Sequence, residues 1–272
     1  MGLLNGKKAL ITGVANKKSI AWGIARTFHA HGAQLAFTCL ESNIRRVKKL
    51  ASQVDSDIII PCDVQKDEEI EHAFDEVNAA FGGTLDILVH CIAYADIEDL
   101  GGEFIGISRS GWNLALEISA YSLVAFARFA RSLMNAAGRG SIITLTFNGG
   151  RKVVPGYNIM GVAKAALDMS IRYLAYDLGP ENIRVNAISA GPISTISSLA
   201  VEDFSNALRI TAESSPLLRN ITQEDLAGTA VYLASDLSGA VTGEVLYVDA
   251  GMSIMCSAVR QHRKWKGVSR EE

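Results

Sequence analysis

Short apolar runs alternate with longer amphipathic stretches from one end of the chain to the other. Strand character falls at residues 8–12, 34–38, 57–61, 87–91, 141–146, 184–189 and 244–249. Helical periodicity covers 21–31, 43–54, 68–81, 112–137, 157–178 and 223–235. Several strand runs are apolar at successive positions, as in Ile58-Ile59-Ile60 and Ile87-Leu88-Val89. A strand that is apolar on both faces belongs to a parallel sheet covered by helices on both sides. The alternation therefore predicts a single-domain, doubly wound α/β fold, Rossmann-like, with a seven-stranded parallel sheet. No linker or internal repeat interrupts it, so residues 1–256 are expected to form one domain. The least regular stretch, 191–216, is expected to be a lid with a short helix around 200–208, because loops of that length usually serve binding. Residues 257–272 carry Arg260, Arg263, Lys264, Lys266 and Arg270 and are expected to be a basic, flexible tail.

Composition removes several function classes. Among 272 residues, 26 Lys+Arg against 29 Asp+Glu leave a net charge of -3. That balance gives no basic field for nucleic acid or an anionic membrane. No apolar run approaches the roughly 20 residues of a membrane span. The opening MGLLNGKKALITG has no apolar leader core, and Gly6 stands where a myristoylation signal wants Ser or Thr. Cys39, Cys62, Cys91 and Cys256 show no CxxC spacing, so reduced thiols, a cytoplasmic location and no metal centre are expected.

The first strand runs into a loop from Gly13 to Gly23, longer than a GxGxxG turn, and then into a helix. Backbone N–H groups at Ser19 and Ile20 are placed to face a pyrophosphate, with the helix dipole favouring its charge. Ser19 suits the N-cap position as well. After the second strand, Glu41 would bond a ribose hydroxyl and repel a 2′-phosphate, which favours NADH over NADPH. Arg45 and Arg46 follow closely and pull the other way. Asp63, at the end of the third strand, could bond an adenine amino group. Small residues after His90 would let the backbone approach the nicotinamide-side ribose.

Tyr157 stands at the start of a predicted helix and Lys164 follows seven residues later, nearly two turns on, so both fall on one face. A phenol there can bond or protonate a developing enolate. An ammonium can lower the phenol pKa and grip ribose hydroxyls. On spacing alone, a surface lysine beside a packed aromatic fits better, and it is the surrounding fold that reverses the balance.

Together the Gly13–Gly23 loop, Cys62-Asp63-Val64, the Tyr157…Lys164 spacing and the run RVNAISAGP from Arg184 to Pro192 resemble the short-chain dehydrogenase/reductase superfamily. Within it, the chain resembles the divergent branch of bacterial NADH-dependent enoyl-acyl-carrier-protein reductases, the FabI type. The commoner branch spaces Tyr and Lys by four, a position held here by Gly161. The resemblance implies reduction of a trans-2-enoyl thioester on acyl carrier protein, with NADH as cofactor and a homotetrameric assembly. By matching position it implies that Gly13, Ser19, Ile20, Leu40, Asp63, Val64, Ile92, Lys164, Ile193 and Thr195 line the cofactor. Tyr157 and Lys164 become the catalytic pair, and Ala95, Phe147, Tyr157, Met160 and Phe204 border the acyl chain.

The chain departs from that pattern at four places. Phe147 stands where many members carry a first active-site Tyr, and Ser194 where a basic residue is usual. Glu202 and Asp203 put acid on the portal, with Arg209 only at its end, although the carrier protein is itself acidic. Leu40 cannot hydrogen-bond a ribose hydroxyl. Two alternatives stay open: a carbonyl or ketoacyl reductase, and an NAD-binding scaffold with little catalysis. The position of the carbonyl-reducing serine, thirteen before Tyr157, is held by Thr144.

Overall fold

A computed structural model describes residues 2–195, Ser198 and 204–256. Seven strands, β1 Lys8–Thr12, β2 Gln34–Cys39, β3 Ile59–Pro61, β4 Ile87–His90, β5 Gly140–Thr146, β6 Ile183–Ala190 and β7 Val245–Val248, form one sheet. Its order is β3-β2-β1-β4-β5-β6-β7, and every pairing is parallel. The helices are α1 Ile20–Ala30, α2 Ile44–Ala51, α3 Asp67–Phe81, α4 Arg109–Leu116, α5 Ser122–Ala136, α6 Asn158–Leu178, α7 Phe204–Ser214 and α8 Gln223–Ala234. The doubly wound parallel sheet expected from the sequence is the fold observed.

The period of two in the strands divides the core. In β1, Ala9 and Ile11 pack with α1, α2 and α8, while Leu10 turns to the opposite face with α3, α5 and α6. Each face is thus closed by a separate apolar layer, which is why the strands read as continuously hydrophobic. Strand order reverses between β1 and β4, and a crevice opens at the carboxyl ends of these strands. There the Thr12 hydroxyl donates to the Val89 carbonyl (3.2 Å) and accepts from the Cys91 N–H (3.0 Å), fastening the two strands where they part.

Several boundaries differ from the expectation. Only Ile59–Pro61 pairs as a strand in β3, because Ser56 holds the preceding turn through its hydroxyl bond to the Leu35 carbonyl (2.6 Å). The helix expected over 112–137 is two helices joined by a π-helical turn, Glu117–Tyr121. The short helix expected near 200–208 is seen from Phe204 and runs on to Ser214. Glu202, Asp203 and the basic tail 257–272 lie outside the described residues. Among the described residues, no helix is long and apolar enough to cross a membrane. All four cysteines are free thiols. Burial pushes Cys39 up to about 11, and Cys62 and Cys91 up to about 12, so these three are packing groups, not nucleophiles.

Candidate active site

The loop after β1 depends on glycine. Gly13 has φ +78°, a conformation L residues rarely adopt, and a Cβ there would collide with the Cys91 carbonyl oxygen. Backbone at the end of β1 can therefore lie directly against the chain leaving β4. Replacing Gly13 by Ala is expected to cost at least the roughly 1–3 kcal/mol of a strained left-handed residue. It should weaken dinucleotide binding as well, and thermal melts with and without NADH check both effects.

Ser19 takes the N-cap position of α1, but its side chain does not cap the helix. Its hydroxyl instead accepts from the Ala15 and Asn16 N–H groups, both at 3.1 Å, and its own N–H donates to the Asn16 carbonyl at 3.1 Å. This corrects the sequence expectation: Ser19 closes the loop, and its amide is spent internally. The first-turn amides of Ile20 and Ala21 have no acceptor within their helix, so the anion-seeking end of α1 starts one residue later than expected. The Ile20 side chain meanwhile packs on the core.

Gln223, which the sequence reading missed, pins this loop from the far side. Its amide donates to the carbonyls of Lys17 (3.1 Å) and Ser19 (2.7 Å). Thr222 and Asp225 form the capping box that places Gln223 on the first position of α8. That Thr-x-x-Asp pattern was the one signal available in the sequence.

At the adenosine side Leu40 is exposed and Glu41 opens a 3-10 turn. Arg46 reaches across from α2 and donates to the Ala15 carbonyl (3.3 Å), so a guanidinium stands at the rim of the Gly13–Gly23 loop. Asp63 is held in a local turn, accepting from the Gln65 N–H (3.1 Å), while its own N–H donates to Glu69 (2.8 Å). Val64 and Ile92 lean on the α3–α5–α6 layer.

Beyond β4, the π-helical turn supplies Ser119. Its hydroxyl accepts from the Tyr94 N–H (2.9 Å) and lies 3.0 Å from the Tyr94 carbonyl and 3.7 Å from the Met160 sulfur. Ser119 thus ties the strap that carries Ala95 to the helix that carries Tyr157. An extra residue in a helical turn re-aims a side chain, which is why such turns recur at functional sites.

The centre of the site lies between β5 and α6. Tyr157 occupies the N-cap of α6, one residue before the helix proper, and Lys164 is buried two turns along. The Phe147 and Tyr157 rings meet edge to face, centroids 5.0 Å apart at 75°. Behind them the backbone is packed by glycines. A Cβ at Gly149 would come within 2.7 Å of the Tyr157 ring, and one at Gly161 within 2.9 Å of the Gly149 carbonyl. Position 161 therefore needs the absence of a side chain.

The Lys164 ammonium donates to the Leu145 carbonyl (2.8 Å). Burial pulls its pKa down to about 8, against an upward pull from Asp168. Asp168 is bound by the Thr146 hydroxyl (2.6 Å) and lies 3.8 Å from the Arg151 guanidinium. Burial raises the Tyr157 phenol above its ordinary value, and no charge opposes that shift. The expectation that Lys164 lowers the phenol pKa is therefore not met: Tyr157 stays a neutral hydrogen-bond donor across the physiological range.

His90 is fully buried, its Nε2 2.8 Å from the Ser122 hydroxyl and Nδ1 3.0 Å from Thr144. The Ser122 hydroxyl also lies 2.6 Å from the Ile118 carbonyl, so each ring nitrogen is held by a hydroxyl that itself reaches a backbone carbonyl. Burial drops the imidazole pKa to about 3, so His90 is a neutral strut. Thr144 is spent in the same network, its hydroxyl also 3.1 Å from the His90 carbonyl.

On the β6 side, Ile193 packs on the α1 layer, and Thr195 forms a tight turn with Ser198. The Thr195 N–H donates to the Ser198 hydroxyl at 2.8 Å. Phe204 begins α7 and is half-buried. The contacts thus join Phe147 to Tyr157 directly and, through Ser119, Met160 to the strap at Tyr94.

A parallel sheet with this strand order, a glycine-dependent loop at its switch point and a Tyr/Lys pair at its carboxyl edge define a dinucleotide-dependent oxidoreductase of the short-chain type. A family model described as enoyl-(acyl carrier protein) reductase matches residues 13–253, and the chain belongs to that family. A Rickettsia conorii protein named enoyl-acyl-carrier-protein reductase (NADH), FabI, is 50% identical over 94% of this chain and 98% of its own length. Its counterpart in Nostoc is 49% identical, over 93% and 98%. Among solved structures, the Bacillus cereus enoyl-acyl carrier protein reductase with NADP+ and indole naphthyridinone superposes with a TM-score of 0.91. That structure is 50% identical and covers 94% of this chain and 99% of its own.

Proposed function

We propose that this chain reduces trans-2-enoyl thioesters carried on acyl carrier protein to saturated acyl thioesters, using NADH, as the last step of a fatty-acid elongation cycle. The observation that carries this reading is the neutral Tyr157 phenol at the carboxyl edge of the sheet, with the Lys164 ammonium buried two turns along the same helix. The residues present fit a dinucleotide. Gly13 lets the loop turn tightly where any side chain would strike the Cys91 carbonyl, α1 presents its first-turn amides, and Lys164 is a buried cation with no carboxylate within ion-pair distance among the described residues. NADH supplies a hydride to C3 of the enoyl group. Tyr157 donates a hydrogen bond to the thioester oxygen and stabilises the enolate charge that builds there, and the enolate then takes a proton from solvent at C2 to give the saturated thioester. Lys164 holds ribose hydroxyls and sets the cofactor beside Tyr157. Phe147 supports the phenol ring and excludes water without supplying a proton. Ala95, Met160 and Phe204 border the acyl chain, within a reductase domain of residues 1–256.

Thr144 speaks against carbonyl reduction as the main activity. Its hydroxyl is turned into the strand toward His90, so the site lacks the serine that would complete a carbonyl-reducing triad. We further read the protein as a cytoplasmic homotetramer, an assembly supported by the exposed Met169, Tyr173 and Tyr176 along α6. Incubation with C4-deuterated NADH and a trans-2-enoyl thioester tests the reaction. Deuterium at C3 of a saturated product is the expected result, and label at a hydroxyl-bearing carbon of a 3-ketoacyl substrate would favour the carbonyl reading.

Cofactor choice rests on Glu41, which repels a 2′-phosphate from the end of β2. Glu41→Arg is expected to raise the NADPH-to-NADH ratio of kcat/KM by about tenfold or more, since one charge-assisted bond is worth about 1.5–3 kcal/mol. An unchanged ratio would make Glu41 a bystander and leave selectivity to Arg46.

A further inference from the structure

Asn158 follows Tyr157 directly and has φ 34°, one of five non-glycine residues in the left-handed region among the described residues. A helix does not ordinarily open on such a residue. Its carboxamide accounts for the conformation: Nδ2 donates to the Gly101 carbonyl and lies 3.4 Å from that of Gly102. In return, the Gly101 N–H donates to the Gly156 carbonyl (3.2 Å). Bonds of opposite direction thus run from the strap to the two residues that bracket Tyr157. Both strap glycines have positive φ, +79° and +57°, so the turn is shaped to present its carbonyls.

The strap continues this wiring. Asp99 is buried and accepts from the Ser108 N–H (2.8 Å) and hydroxyl (3.0 Å), and Ser108 caps α4 through the Gly111 N–H (2.9 Å). At its other end the strap is tied by Ser119 to Tyr94. The segment from Tyr94 to Ser108 is therefore anchored at both ends and, in the middle, beside the phenol.

We propose that Asn158 is the positioning residue of this site, its carboxamide clamping the 101–102 turn to α6 so that the strap and the Tyr157 phenol are set as one unit. The kinetic half of this inference rests on the enoyl-reductase reading above; the clamp itself does not. A substrate that displaces the strap would then also displace the phenol, making turnover sensitive to how the acyl group seats.

Two variants separate clamping from backbone strain. Asn158→Gly relieves the left-handed conformation but removes the clamp. Asn158→Asp keeps a residue tolerant of that conformation, loses the N–H donor and sets a carboxylate against the Gly101 and Gly102 carbonyls. Both are expected to lower kcat about 10–100-fold and to raise KM for a trans-2-enoyl thioester, the size of effect expected from a misplaced reacting group. NADH affinity should stay within about twofold, because the clamp lies outside the cofactor loop. Amide exchange over residues 99–107 should be about tenfold faster in both variants, with or without turnover. If the wild-type chain reduces no enoyl thioester, the functional reading fails, and the exchange data still judge the clamp. Wild-type kinetics in Asn158→Gly would mean that the residue serves backbone conformation alone. Unchanged exchange in both variants would overturn the clamp. Faster exchange with wild-type kcat and KM would overturn its role in positioning Tyr157.

Discussion

Tyr157→Phe is expected to lower kcat by about 10²–10⁴ while leaving the fold intact, the usual size of a lost proton donor in the transition state. The ring would remain, with its edge-to-face contact to Phe147 at 5.0 Å. Only the hydroxyl is removed, so a thermal melt should shift little. Burial keeps the phenol neutral. The loss should therefore be flat across pH 6–9 and not follow a titration. A wild-type rate in Tyr157→Phe would remove this residue from the chemistry. The neighbouring site predicts an asymmetry: Phe147 has no hydroxyl to lose, so Phe147→Leu should alter KM for the acyl substrate more than kcat.

The second large effect belongs to Lys164. Lys164→Met, which preserves the aliphatic volume, should weaken NADH binding by about 10–100-fold, because charge-assisted bonds to ribose hydroxyls disappear. It should also change the pH profile. In the free protein the ammonium pKa is lowered to about 8 by burial. Because kcat/KM reports groups of the free enzyme, the wild-type value should fall as pH rises through about 8. That limb should be absent in Lys164→Met. Stability moves the other way. Between about 8 and the ordinary lysine value of 10.5, the unfolded chain holds more protons on this group than the folded one, so Lys164 makes stability rise with pH over that window. A wild-type kcat/KM that stays level to pH 10 would show that the charge of Lys164 is not needed.

The layered architecture was legible because parallel strands buried on both faces leave a signature in consecutive apolar residues, as at Ile87-Leu88-Val89. The Tyr157…Lys164 spacing reads as a helical period, but Tyr157 stands one residue before α6, and Asn158, with φ 34°, interrupts that period between the two. What sequence reasoning missed depends on partners far apart in the chain. Gln223 holds a loop some two hundred residues away, at Lys17 and Ser19. Ser119 reaches Tyr94 only because a π-helical turn re-aims it, and no local pattern announces that turn. Ser19 reads as turning its N–H to a pyrophosphate and suiting the N-cap as well; it does stand at the N-cap, but its hydroxyl is taken by the Ala15 and Asn16 amides. The expected depression of the Tyr157 pKa failed on magnitude. Desolvation is a strong effect at this depth, whereas the Lys164 ammonium is directed at the Leu145 carbonyl.

The most direct test of the central claim is NADH oxidation followed at 340 nm with a trans-2-enoyl thioester of acyl carrier protein and, in parallel, the matching 3-ketoacyl thioester. Consumption with the enoyl substrate alone is the predicted result, and it would establish that Phe147 suffices without a second active-site phenol. Consumption with the ketoacyl substrate alone would contradict the account, as would tight NADH binding with turnover of neither.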